Sequence, residues 1–265
     1  MSRGIVVFSG GPDSTAAALW AIEQGIEVEL LTFQTKGSEQ YGELYASMTV
    51  AAALKLPQTI VDFKEPLTIF SPLVHPFVHA GTPRDLDKTK DHILPFGAGS
   101  MLAFASSYAV YNQALTLVWG ATADDAANNV DYTQAFADGL ARLVSLATGV
   151  NFSILLPFVK YHKPVLMEKY KGKEKLLSLT WSCKKPSENV QCGACSACLA
   201  RRFSADLARI ADETRYKKKE FSNPIPLSDR PKNLLLSEEQ WESLIRRGPG
   251  MDSALDLLNI SSGSL

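Results

Sequence analysis

The chain has 265 residues, 46% of them hydrophobic and 21% charged, with a formal net charge of −1. That composition is that of a globular chain of one large or two small domains. Near-zero charge excludes a protein drawn to nucleic acid or membrane by its overall field, and no apolar run reaches the roughly 20 residues of a membrane span. Strand-like sequence begins almost at once, leaving no signal peptide, and all four cysteines fall between positions 183 and 198. This differs from a secreted disulfide scaffold, and the expectation is a cytoplasmic protein.

Ile5-Val6-Val7-Phe8 reads as a short buried strand, Ser9-Gly10-Gly11-Pro12-Asp13-Ser14-Thr15 as a tight turn, and the Ala-rich residues 16–24 as a helix. Glycines let a backbone approach a ligand closely. The new helix aims unpaired N–H groups and its positive dipole end at the same point, which suits a phosphate. Ser9, Ser14 and Thr15 add hydroxyls, and Asp13 can hold Mg²⁺ or orient a phosphate-bound water. No Lys follows the glycines as in the kinase and GTPase loop, and the dinucleotide Gly-x-Gly-x-x-Gly spacing is missing. The plainer reading is a Gly-Gly turn with an Asp/Ser cap.

Gly25 is a helix stop. Residues 28–33 read as a second strand, 39–56 as a helix with Leu44, Met48, Ala51, Ala52 and Leu54 at helical spacing, and 58–63 as a third strand. Residues 64–96 break the rhythm with Pro66, Pro72, Pro76, Pro83, Pro95 and a charged run over 84–92. They read as a long loop over the site. His75 and His79 straddle Pro76, so they read as loop histidines rather than a helical metal pair.

Residues 97–112 read as a helix and 115–120 as a fourth strand ending in Trp119-Gly120. Ligands of open α/β sheets sit beyond the carboxyl ends of strands. Gly120 and the polar Asp124, Asp125, Asn128, Asn129 and Asp131 are therefore expected to face the crevice of the glycine turn, with a solvated loop as the alternative. A helix over 132–147 and a strand over 152–158 follow. His162-Lys163-Pro164 then opens another helix, with proline at a favoured first-turn place. Lys163 points either at the nucleotide or at solvent. Residues 200–212 read as helical, Lys217-Lys218-Lys219 as a solvated basic run, Ser237-Glu238-Glu239-Gln240 as a capping box before Trp241, and 261–265 as disordered. The fold class expected is α/β, a parallel doubly wound sheet of about five strands. The expected division is an α/β domain carrying the glycine turn over 1–180, which the resemblance given below makes the ATP-binding domain, a metal-binding segment over 181–210 and a helical extension over 211–265.

Cys183, Cys192, Cys195 and Cys198 are spaced C-x8-C-x2-C-x2-C. Four thiolates suit tetrahedral Zn²⁺ in a closed, structural site, with Gly193 turning the chain between ligands. A Cys₄ set also suits an iron–sulfur cluster, although neither ferredoxin spacing matches, and a redox pair is the third reading. Zinc is the preferred one.

Ser-Gly-Gly-x-Asp-Ser at a first strand–helix junction resembles the PP-loop of ATP pyrophosphatases. With Trp181-Ser182-Cys183 and Cys192-Gly193-x-Cys195-x-x-Cys198-x-x-Arg201, the chain from residue 3 to about 210 resembles the QueC family of 7-cyano-7-deazaguanine synthases. The resemblance implies ATP-dependent adenylation of 7-carboxy-7-deazaguanine, with ATP, Mg²⁺ and Zn²⁺ as cofactors. It implies an ATP loop over Phe8 to Thr15, catalytic roles for Ser9, Asp13, Ser14 and Lys163, zinc on the four cysteines, and a family habit of homodimers. The 7-deazapurine is expected beside Trp119, Gly120 and Asp131. Two departures stand out. Leu94-Pro95-Phe96-Gly97-Ala98-Gly99-Ser100 carries no arginine where the family has Pro-x-Arg-Asn, and Asn129-Val130-Asp131-Tyr132-Thr133 keeps only the aspartate of Tyr-Pro-Asp-Cys-Arg. QueC-like paralogues of anti-phage systems, which join a deazaguanine amide to a protein amine, are the resemblance's second implication. A non-catalytic nucleotide- or RNA-binding module is the reading outside enzymes.

Overall fold

A computed structural model describes residues 2–35, 39–63, 97–127, 129–186 and 189–218. Five parallel strands form one sheet: β1 (Arg3–Val7), β2 (Glu27–Gln34), β3 (Gln58–Asp62), β4 (Thr116–Trp119) and β5 (Ser153–Leu155), in the order β3-β2-β1-β4-β5. Helices α1 (Pro12–Glu23), α2 (Glu39–Leu54), α3 (Gly97–Tyr111), α4 (Ala123–Ala126), α5 (Gln134–Thr148), α6 (Lys163–Met167), α7 (Glu174–Leu179) and α8 (Ser196–Leu207) complete the described chain.

The inner strands β2, β1 and β4 are largely apolar on both faces because both are covered, while edge strand β3 is half-exposed. Val6, Leu30 and Val118 pack into one core with α1, α2 and α6, while Ile5, Leu31 and Leu117 pack into the other with α3 and α5. Ala16, Ala17, Ala18 and Ala21 are fully buried, and these short side chains let α1 lie close on the sheet. Gly25, at φ +72°, ends α1, with Ile26 N–H donating to Ala21 O. Thr133 caps α5 by accepting from Phe136 N–H, and Gly149 at φ +74° closes its other end.

The order places a switch point between β1 and β4. From there the chain winds one way through β2 and β3 and the other way through β5, which leaves a crevice at the carboxyl ends of β1 and β4.

Two expected elements differ and one was not expected at all. The fifth strand pairs only over Ser153–Leu155; beyond it Leu156 and Phe158 stay buried, and only the Thr122–Phe158 bridge continues the pairing. The helix expected over 200–212 runs Ser196–Leu207, because Cys195 is its N-cap and Arg209, at φ +55°, turns the chain away. Short α4 was not expected; Thr122 and Asp125 close a capping box around it. The lid expected over 64–96, with His75 and His79, the extension from 219 onward with its capping box at Ser237, the disordered tail over 261–265, Lys219 and Asn128 lie outside the described residues. Among the described residues no helix is long and apolar enough to cross a membrane.

Candidate functional site

The glycine turn closes on itself through its two serines. Ser14 Oγ accepts from Ser9 N–H at 3.2 Å and donates to Gly11 O at 3.2 Å; Ser9 Oγ accepts from Gly11 N–H at 3.2 Å and lies 3.2 Å from Ser14 Oγ. Gly10 adopts φ +80°, and a Cβ there would fall on the backbone of Ser47 in α2, with Ser47 Cα at 2.7 Å. Only glycine lets the loop pass. Gly11 is the N-cap of α1 and Pro12 its first residue, so the helix dipole and first-turn N–H groups face the loop. Phe8 and Thr15 are buried beneath it.

Lys163 closes the mouth. Its Nζ donates to Asp13 Oδ2 at 2.6 Å across 150 positions, and the two side chains stay 26% and 23% exposed. Asp124 presents this lysine: Oδ2 accepts from Lys163 N–H at 3.2 Å while Oδ1 lies 2.7 Å from His162 Nδ1. Burial opposes the charge on Lys163, yet Asp13, Asp125 and Asp124 outweigh it and hold the ammonium above the usual lysine range. Burial raises the Asp13 carboxyl above its ordinary range; Lys163 works against this and Asp125 adds to it. Asp13 Oδ1 is buried without a hydrogen-bond partner among the described residues. An orphaned carboxylate oxygen beside a phosphate-type loop is a fitting ligand for a hard cation such as Mg²⁺.

A cavity of about 320 Å³ opens at the switch point. Phe8, Ser9, Asp13 and Ser14 form one wall; Phe33, Glu43, Ala98 and Met101 form another; Trp119, Gly120, Asp125 and Tyr132 form the third. Gly120 is required by proximity, since a Cβ there would lie 2.6 Å from Asp13 O. Trp119 and Tyr132 rings sit 4.5 Å apart, tilted by 40°. Burial first, then Asp125 and Asp131, push the Tyr132 phenol up to about 12. The cavity therefore combines anion-binding backbone, the carboxylates of Asp13, Glu43 and Asp125 and aromatic walls, with the Lys163 ammonium held beside it on Asp13, a shape for a nucleotide beside a planar substrate.

Of the substrate residues expected from sequence, Trp119 and Gly120 line this cavity, while Asp131 is half-buried in the 3₁₀ turn Val130–Tyr132; the lining carboxylates are Asp125, Asp13 and Glu43. Asp124 lies beneath Lys163.

Cys183, Cys192, Cys195 and Cys198 converge with their sulfurs all within 4.8 Å of one another. Backbone N–H groups of Cys192 and Lys185 point at Cys183 Sγ, and those of Ala194 and Cys195 at Cys192 Sγ. Four thiolates at this spacing fit tetrahedral Zn²⁺. Gly193, at φ +76°, lets the knuckle turn under Lys218 O. Arg202 seals it, donating to Gly193 O and Lys218 O with its guanidinium 4.8 Å above the Tyr216 ring. Lys217 and Lys218 N–H groups tie back to Gln191 O and Cys192 O, so part of the basic run belongs to the knuckle.

Sequence reasoning placed Asp124 at the crevice but passed over its pairing with His162 and Lys163, and it passed over Tyr132 as a cavity residue, Tyr170 and the role of Trp181. Tyr170 is fully buried and donates to Pro12 O at 2.6 Å, while Trp181 N–H donates to Gly10 O at 3.0 Å. Tyr132 had a signal: it is the aromatic next to Asp131 at the end of the polar stretch. Tyr170 and Trp181 act on a loop 158 and 171 positions earlier, and no local pattern marks that.

The family model described as queuosine biosynthesis protein QueC matches residues 3–206. The chain is 27% identical over 228 residues to the 7-cyano-7-deazaguanine synthase of Campylobacter jejuni subsp. doylei, covering 81% of this chain and 98% of that one. It is 28% identical over 227 residues to that of Nautilia profundicola, covering 83% and 100%. Among solved structures, an NMN synthetase from Francisella tularensis aligns with a TM-score of 0.43 at 14% identity, over 97% of this chain and 82% of that one.

Proposed function

The chain belongs to the QueC family, whose relatives here are synthases, and on that premise we propose that it is an ATP-dependent adenylating ligase acting on 7-carboxy-7-deazaguanine or a related 7-deazapurine acid. The observation that carries this reading is the Asp13–Lys163 pair at 2.6 Å beside the glycine loop, at the mouth of a cavity with aromatic walls.

The substrate carboxylate attacks the α-phosphorus of ATP, forming the acyl-adenylate and releasing pyrophosphate. Loop N–H groups and the start of α1 hold the β- and γ-phosphates. Lys163 balances charge that builds on the leaving pyrophosphate, an electrostatic task needing no covalent nucleophile. Asp13 would hold Mg²⁺ through Oδ1, and the ion would neutralise phosphate charge. The planar 7-deazapurine would stack between the Trp119–Tyr132 pair and the Phe33–Met101 wall. Asp125 would accept from its N–H edge, with Asp131 behind it. The four cysteines would hold Zn²⁺ with every ligand place filled, a structural role. The substrate is a small molecule and the reading needs no membrane; a homodimer would follow the family habit. The test is pyrophosphate release from ATP and 7-carboxy-7-deazaguanine. A purified protein that releases none with any 7-deazaguanine acid or amide is not this ligase.

One observation favours a second reading for the acceptor. Ala98 lines the cavity and belongs to the Leu94–Ser100 stretch that lacks the arginine the resemblance calls for, so room exists for something larger than ammonia. An amine of a peptide, as in the anti-phage paralogues, would then displace AMP to give a protein-linked amide. Efficient conversion of acid and ammonia to nitrile returns the chain to ordinary synthase activity; turnover with a peptide amine and poor nitrile formation supports the altered acceptor.

A further inference from the structure

One strap joins the phosphate loop to the cysteine knuckle. Trp181 N–H donates to Gly10 O at 3.0 Å, and its carbonyl lies beside Gly11. The indole rests on Gly42 of α2, where a Cβ would collide with the ring; the same helix bounds Gly10 on its other side through Ser47. Gly10 is thus gripped between Trp181 and α2.

What holds Trp181 comes from the knuckle. Gln191, next to Cys192, donates to Thr180 O at 3.0 Å and accepts from Ser182 N–H at 3.0 Å, bracketing Trp181 on both sides. Arg201, on the helix that starts at the knuckle, donates to Thr180 O and Thr180 Oγ1 at 2.9 Å each. Trp181 Nε1–H donates to Cys183 O at 2.9 Å, and Cys183 is itself one of the four thiol residues. Gln191 and Arg201 are buried, so these bonds have no water to replace them.

We infer that the knuckle positions the phosphate loop through Trp181, so that zinc and ATP bind cooperatively. Trp181 is a positioning residue, acting through Gly10. The metal fixes Cys183 and the turn of Gln191, these fix the strap, and the strap fixes the left-handed Gly10 that shapes the phosphate site. Coupling of this kind is reciprocal: each ligand must raise the other's affinity by the same factor. The inference rests on the reading of the loop as an ATP site.

The test uses the full chain. Zinc affinity is measured by competition with a chromophoric chelator, with and without saturating α,β-methylene-ATP and Mg²⁺. The analogue's own affinity is measured by calorimetry. The expected result is a gain in zinc affinity of about fivefold or more with the analogue. In Gly42→Ala, which displaces the indole while improving helix propensity, that factor falls toward one. Gly139→Ala in α5, where an added Cβ meets nothing within 4 Å, keeps the wild-type factor. An analogue that binds without changing zinc affinity overturns the coupling and leaves the ATP reading standing. An analogue that does not bind at all overturns both. A factor that persists undiminished in Gly42→Ala overturns the role of Trp181, because it would then come from global stability alone.

Discussion

Lys163 Nζ and Asp13 Oδ2 lie 2.6 Å apart although 150 positions separate them in the chain. Asp13 comes from the first turn of α1 and Lys163 from the first turn of α6, so two helix starts meet at the loop. In the proposed reaction the pair would join two roles, aligning the carboxylate whose Oδ1 would take Mg²⁺ and keeping an ammonium beside the loop proposed for the phosphates.

Replacing Lys163 by Met leaves Asp13 facing Asp125 and Asp124 without a counter-charge. The pair is partly exposed, so the cost lies between those of exposed and buried pairs, about 1–3 kcal/mol. Adding Asp13→Asn restores the melting temperature but not activity, because both functional charges are then gone. Each single variant lowers pyrophosphate release by about 10²–10³-fold. A Lys163→Met enzyme with near-normal turnover contradicts the electrostatic role.

The pH dependence follows from the same groups. Asp13 is raised, so the folded state holds its proton to higher pH than the unfolded chain, and this contribution is full below 3.8 and lost as pH rises through the folded value. Since Asp13 must be ionised to pair, the acid limb of kcat/KM lies above that ordinary value and moves further up in Lys163→Met, which removes a group lowering it. Tyr132 is raised to about 12, so its contribution is full below 10 and lost between about 10 and 12. Melting curves of wild type and Tyr132→Phe from pH 9 to 11.5 should diverge, with wild type losing more as pH rises. Parallel curves would show that the Tyr132 phenol is not raised by its surroundings.

Gly120→Ala places a Cβ 2.6 Å from Asp13 O and 3.0 Å from Ser14 N, all backbone atoms that cannot rotate away. Helix α1 must move off β4. The expected cost is about 1–3 kcal/mol of stability, with weaker nucleotide binding measured by calorimetry. A variant that melts and binds like wild type would mean that the loop is softer than this contact implies.

Elemental analysis should find one zinc per chain. Cys195→Ser should lower the melting temperature by more than about 5 °C, since metal affinity contributes to folding free energy and each kcal/mol lost shifts a chain of this size by about 2–4 °C. A variant with the wild-type midpoint would make the knuckle dispensable.

Much of this protein was legible in short stretches of sequence. The run Ile5–Phe8, the glycines with Pro12 and the alanines of α1 are neighbours in the chain, and local sterics decide a strand, a φ +80° turn and a close-packed helix. Apolar runs at Val28, Leu115 and Phe152 marked strands that are buried because both sheet faces are covered there, while β3, from Gln58, is a half-exposed edge strand. The cysteine spacing predicted convergence because three of the four ligands lie within seven residues. Tertiary structure alone decided the rest. Whether Lys163 met the glycine loop or solvent was undetermined until the sheet order brought α6 beside α1, where the ammonium pairs with Asp13. Of the two aspartates, Asp125, held in the capping box of α4, lines the cavity, and Asp131, in the 3₁₀ turn Val130–Tyr132, is not among its lining residues. Trp181 reaches Gly10 from 171 positions away, by one backbone hydrogen bond that needs no particular side-chain pattern. Hydrophobic period and turn chemistry act over a few residues, whereas packing a parallel sheet joins residues by strand order, which no local signal encodes.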